Sequence, residues 1–176
     1  MPDRAGLWSV RARWGYITAL VVLLSDQFTK HWASAELVYR QPVPITSWFD
    51  LTLAHNAGAA FSFLAGAGGW QRWFFALVAV LVSAVMVGWL ARLGRERRWL
   101  GFALGLVLGG GLGNLWDRLA LGYVVDFISV HYHQWYWPAF NVADSAISAG
   151  AILLVLDSFY TAQEGTQSGS GDSKNG

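Results

Sequence analysis

The chain has 176 residues, of which 55% are hydrophobic and only 13% charged, about half the roughly 25% usual in a soluble domain. Its 12 basic and 11 acidic side chains nearly cancel, which gives no electrostatic case for a nucleic-acid partner. There is no cysteine, so disulfides, thiolate metal sites and a cysteine nucleophile are excluded. The composition predicts an all-α membrane protein: one domain over residues 1–162 with four transmembrane helices, a small extracytoplasmic β-sheet and loop region, and a tail.

A span of about 20 apolar residues crosses a bilayer core, and the first candidate runs from about Trp14 to Ala33, with Asp26 and Lys30 near its far end. No small-residue cleavage site follows Leu24, and polar Ser25, Asp26 and Gln27 come instead, so a cleaved signal peptide is a poor reading. Residues 41–64 have to build more than a connection. Phe49, Leu51 and Leu53 alternate with Asp50 and Thr52, the period of a half-buried strand. His55-Asn-Ala-Gly58 follows; Asn56 offers both donor and acceptor, and Gly58 allows close backbone approach. Asn-Ala-Gly is also an ordinary turn.

The second span, about Trp73 to Leu90, carries no charge, and Arg92, Arg95, Arg97 and Arg98 follow it. The third, about Trp99 to Trp116, contains Gly105, Gly109, Gly110, Gly111 and Gly113, which invite close helix contact. Beyond it come Asp117, Arg118 and Asp126, then the aromatic stretch His131 to Pro138, which reads as an interfacial belt. The fourth span, about Ala139 to Tyr160, has Asp144 near its start, and residues 163–176 read as a disordered cytoplasmic tail.

Basic flanks stay in the cytoplasm. Arg4, Arg11, Arg13 and the middle arginine loop therefore put both termini inside, and Asp26, Asp117, Asp126 and Asp144 collect at the outer face. Asp157, at the inner end of the fourth span, reads as a solvated helix-end carboxylate.

Acids in so apolar a chain face a protein interior or a functional cavity. Asp126 and Asp144 are the leading pair, because two close carboxylates share a proton and can act as base and acid together. A serine mechanism lacks a histidine in the second, third or fourth span, and a zinc protease lacks a metal-binding His-Glu-x-x-His helix. The remaining readings are aspartyl peptide hydrolysis and a proton-coupled carrier using the acids as a relay.

Four blocks then occur in order: Asp26-Gln-Phe-Thr-Lys30; His55-Asn-Ala-Gly-Ala-Ala-Phe-Ser-Phe63; Gly109 to Arg118 continuing to Gly122-Tyr-Val-Val-Asp-Phe127; and Phe140-Asn-Val-Ala-Asp-Ser-Ala-Ile147. With them the chain resembles the bacterial lipoprotein signal peptidases, the signal peptidase II family. The resemblance implies an aspartyl endopeptidase of the bacterial inner membrane, active near the periplasmic face. Its substrate would be a diacylglyceryl-modified prolipoprotein, cut before the lipidated cysteine. Asp126 and Asp144 would be the catalytic dyad, and Asn56, Gly58, Asn114, Arg118 and Asn141 would line the site. Asp26 and Lys30 read as a supporting i,i+4 ion pair, and Asp117 beside Arg118 as a tie between loop and helix. Asn141, three residues before Asp144, is placed on the same helical face. No metal or organic cofactor is implied, membrane lipid is the medium of the substrate, and a monomer is the expectation. Lateral entry from the bilayer suits a lipidated substrate, with the sheet and the Asn56 loop, between Gly58 and Gly66, as a lid.

Overall fold

The computed structural model describes residues 10–58, 68–93 and 98–170. Four helices carry the fold: α1 (Val10–Glu36), α2 (Trp70–Ala91), α3 (Arg98–Ala120) and α4 (Val142–Ser170). Among the described residues, three segments are long and apolar enough to cross a membrane, namely Trp70–Ala91, Trp99–Ala120 and Val142–Phe159. The first expected span falls outside that group although α1 has 27 residues. Its second half carries Asp26, Gln27, Lys30 and His31, and these offset the apolar run that precedes them.

Helix α3 is the axis of the bundle, with α1, α2 and α4 packed around it. The glycines anticipated as contact points serve that purpose: a Cβ at Gly109 would stand 2.5 Å from the Ala19 carbonyl oxygen of α1, and one at Gly110 would strike the Ala143 carbonyl of α4. Without side chains there, backbones approach closely enough for dispersion to hold helices that gain nothing from water exclusion in lipid. Helix α2 lays Ala76, Ser83, Met86 and Leu90 against the bundle while Trp73, Leu77, Leu81 and Val85 point outward, as a lipid-facing surface requires. The apolar core gathers where α2 ends and α3 begins, around Leu90, Leu93, Leu100, Leu104 and Leu108. Buried polar groups are concentrated at the other end.

There the sheet sits. Strands β1 (Val43–Pro44), β2 (Phe49–Asn56), β3 (Val124–Tyr132) and β4 (Trp135–Tyr136) form one antiparallel sheet in that order. The alternation from Phe49 does make a strand, longer than expected, and Asn56 is its last residue rather than part of a free turn. Helix α3 ends at Ala120; just past it Gly122 has a φ of 88°, which favours glycine, and the chain turns directly into β3. Pairing of β2 with β3 aligns Ala54 with Asp126 and Asn56 with Val124, joining segments about 70 residues apart. The aromatic stretch after His131 is the turn and return strand of a hairpin, with Tyr132 opposite Trp135. Tyr132, Trp135, Tyr136 and Trp137 are exposed.

The fourth helix starts later than the expected span. Phe140 still pairs with Ile128 through two backbone hydrogen bonds of 2.9 and 3.0 Å, so residues 139–141 run extended along β3 and helix begins at Val142. At its far end α4 continues to Ser170, correcting the tail boundary placed at 163; extending an existing helix is cheaper than starting one. Residues 171–176 of that tail lie outside the described residues, as do Arg4, Arg95, Arg97 and the 59–67 part of the expected lid, Gly66 included.

Candidate active site

Helix α4 points its N-terminus at the polar end of the bundle, and its first turn is held by groups from three other places. Asn141 is its cap: the side-chain oxygen accepts the Asp144 N–H at 2.8 Å, one of the donors a helix start leaves unpaired. This corrects the expectation that Asn141 shares a helical face with Asp144; it precedes the helix and turns back on it. The next N–H, from Ala143, is accepted by the Asp26 carboxylate at 2.8 Å.

The other end of the Asn141 amide reaches Asp126. Its Nδ2 donates to Asp126 Oδ1 at 2.7 Å and to the Val125 carbonyl at 3.2 Å. A single side chain thus ties the carboxylate of one aspartate to the backbone of the other. Asp126 receives a second donor from Asn56 Nδ2 at 3.2 Å. Asn56 spends its oxygen on the Gly58 N–H at 3.0 Å, which fixes its amide so that the NH2 faces Asp126. Arg118 closes this part of the site by donating to the Gly58 carbonyl at 3.2 Å and the Asn114 carbonyl at 3.1 Å.

Asp144 receives Asn114 Nδ2 at 2.7 Å. Behind Asn114 lies a buried ionic cluster. Lys30, 3% exposed, donates to Asp26 at 2.8 Å, to Asp117 at 3.0 Å and to Asn114 Oδ1 at 2.9 Å. The expected Asp26–Lys30 pair is present, whereas Asp117 pairs with Lys30 and not with its neighbour Arg118. Helix geometry explains the difference: adjacent residues diverge in direction, so Asp117 turns inward to α1 while Arg118 turns toward the Asn56 loop. Asp117 also accepts the Val125 N–H at 3.0 Å and Gln27 Nε2 at 3.0 Å. It fixes the start of the strand that carries Asp126. The expected tie of Asp117 between helix and loop is this bond to Val125, whereas Gln27 was not read from sequence; its one signal was its place inside the Asp26 to Lys30 block.

Asp126 is 2% exposed, and its pKa is pushed up to about 7. Burial is the largest cause, followed by the negative charge of Asp144; the donors Asn56 and Asn141 and the charge of Lys30 work in the opposite direction. Near neutral pH this carboxyl holds a proton for a large part of the time. Beside Asp144 is a cavity of about 450 Å³. Asp144, Asn56, Asn114 and Arg118 make its polar wall, and Val124, Trp137, Phe140 and Ile147 are among its apolar lining. The aromatic stretch read as a belt therefore also contributes wall to the site.

The structure brings together every candidate residue: Asp126 and Asp144 at the centre, Asn56, Gly58, Asn114, Arg118 and Asn141 around them, and Asp26 with Lys30 behind. The arrangement can activate a water molecule and protonate a departing group. A family model for signal peptidase II matches residues 18–160. The chain belongs to the signal peptidase II family. It is 54% identical to the lipoprotein signal peptidase of Pseudomonas fluorescens Pf-5 over 94% of this chain and 97% of that one. With the lipoprotein signal peptidase of Pseudomonas aeruginosa UCBPP-PA14 the identity is 57%, over 93% and 95%. The fold matches a bacterial membrane enzyme solved by the in meso method at 2.3 Å resolution, with a TM-score of 0.77 and 26% identity over 85% of this chain and 90% of that one. As a family member with membrane-spanning helices, the protein is a membrane-embedded peptidase.

Proposed function

We propose that Asp126 and Asp144 are the catalytic dyad of an aspartyl endopeptidase that removes the signal peptide from diacylglyceryl-modified prolipoproteins, cutting before the lipidated cysteine. The observation that carries this reading is the tie that Asn141 and Asn114 make between the Asp126 carboxylate and Asp144, beside a cavity that Asp144 borders.

In the reaction an ionised carboxylate takes a proton from water as its oxygen bonds to the scissile carbonyl carbon, and the protonated carboxyl gives its proton to the carbonyl oxygen. Collapse breaks the C–N bond, and the amine leaves with a proton returned through the dyad. The Asn and Arg groups around the cavity hold the extended substrate backbone. No metal or organic cofactor is required.

The chain acts as a monomer in the bacterial inner membrane, crossing it four times with α1 as the additional span. The polar half of α1 turns its Asp26 and Lys30 inward to the ionic cluster, so lipid does not meet those charges. Both termini lie in the cytoplasm and the dyad near the periplasmic surface, where water is at hand and the lipidated substrate enters sideways from the bilayer.

The test is cleavage of a diacylglyceryl-modified prolipoprotein by the purified chain beside folded Asp126→Asn and Asp144→Asn variants. Release of the signal peptide by the wild type and loss of at least about a thousandfold in each variant are expected, since each removes a group used in bond breaking. Normal cutting by either variant refutes the dyad, and an inert, well-folded wild type favours a proton-coupled carrier instead.

A further inference from the structure

We propose that Lys30 is a positioning residue that divides the labour of the dyad: it fixes the Asn114 amide so that Asp144 takes the proton from water and Asp126 supplies the proton to the substrate. This rests on the functional reading above and adds the order of roles, which the two-carboxylate arrangement leaves open.

Lys30 has only donors, so the Asn114 atom facing it has to be the oxygen, and the 2.9 Å contact is made to Oδ1. The opposite end of the amide is then the NH2, which meets Asp144 Oδ1 at 2.7 Å. A donor in that place favours a carboxylate without its proton. If Asn114 were turned over, oxygen would face oxygen and Asp144 could be accommodated only as the acid. Lys30 is itself held in place: its three donors are taken by Asp26, Asp117 and Asn114, all buried.

Donors alone do not separate the two aspartates, because Asp126 also receives a pair of them. Backbone placement does. Asp144 lies in the first turn of α4, where the helix N-terminus favours negative charge, and it borders the cavity. Asp126 lies on a strand at 2% exposure, where burial favours the protonated form. The charged and titratable groups around Asp144 are Asp126 from β3, Asp117 and Arg118 from α3, and Asp26 and Lys30 from α1.

The experiment is the pH dependence of kcat/KM for prolipoprotein cleavage by wild type, Asn114→Asp and the double variant Lys30→Met with Asp117→Asn. Asn114→Asp keeps the shape and the oxygen for Lys30 but sets a second oxygen against Asp144. The double variant takes the Lys30 donor from Asn114, leaving its oxygen only the longer 3.4 Å contact from Asn141 Nδ2, while removing one positive and one negative charge together. The acid limb, which reports the base, is expected to move up by about one pH unit in Asn114→Asp and in the same direction in the double variant, with the alkaline limb held. That is about a tenfold loss of rate on the acid side. A purely structural role for Lys30 lowers rates at all pH values and leaves the limbs in place, which overturns the proposal. Movement of the alkaline limb alone overturns it by reversing the roles. Unmoved limbs alongside inactive Asp126→Asn and Asp144→Asn defeat only this inference, whereas normal cleavage by those two defeats the dyad as well.

Discussion

Raising the pKa of Asp126 to about 7 has a cost in stability that can be measured without substrate. The unfolded carboxyl titrates near its ordinary 3.8, so between these values the unfolded chain has shed a proton that the folded chain still holds. The stability tied to that proton is complete below the unfolded value and is lost as pH rises through the folded one. At about 1.4 kcal/mol per pH unit, the folded state loses roughly 2 kcal/mol between about pH 5.5 and pH 7 from this residue, and little more by about pH 8.5.

Asp126→Asn abolishes that titration. Its absolute stability also reflects a mismatch, since the new NH2 group faces the donor of either Asn56 or Asn141 while the remaining oxygen keeps the other, at about 1 to 3 kcal/mol for an unsatisfied buried group. The mismatch does not titrate, so the slope with pH is the informative quantity. Unfolding of wild type and variant in mixed detergent micelles, followed by denaturant midpoint at several pH values, gives the difference between them and cancels the other titrating groups. The variant is expected to gain roughly 2 kcal/mol on the wild type from about pH 5.5 to pH 8.5 while losing cleavage. Parallel pH profiles would refute the shifted carboxyl and the general-acid role that depends on it.

Gly113→Ala drives a methyl to 2.5 Å from the Asp26 carboxylate, which also accepts the Ala143 N–H; about 1 to 3 kcal/mol of stability should be lost and cleavage should fall with it, measured on the same preparation. Lys30→Met alone leaves Asp26 and Asp117 buried without their cation, and a loss of about 3 to 5 kcal/mol is expected in the denaturant midpoint; wild-type stability would show that the cluster is hydrated or carries protons of its own. Asn56→Ala removes a donor that lowers the Asp126 pKa, so the alkaline limb of the pH–rate profile should move upward, and a downward move would contradict that geometry.

Much of the site was legible because chemistry and composition conflict so openly in this chain. Aspartates are costly in apolar segments, and Asp126 and Asp144 stand out for that reason alone; arginine distribution gathered them on one side before any contact was known. The strand from Phe49 followed from alternation, and the glycines of α3 from their lack of side chains. Asn141 shows where this reading stops. Its spacing from Asp144 is compatible with a helical face or with a cap, and only the backbone bonds between Phe140 and Ile128 decide that the helix has not yet begun. Asp117 shows the same limit, because its choice of Lys30 over Arg118 depends on how α1 lies against α3.

Sequence by itself determined the solvent, three segments able to cross it, and the residue types able to do the chemistry, since hydropathy, charge and local periodicity are properties of short stretches. The tertiary structure alone decided the pairing of β2 with β3, the capping of α4 by Asn141 and Asp26, and the path from Lys30 through Asn114 to Asp144. Apart from the Asn141 cap, those contacts join residues far apart in the chain, and they form only where the close packing around α3 brings the backbones together.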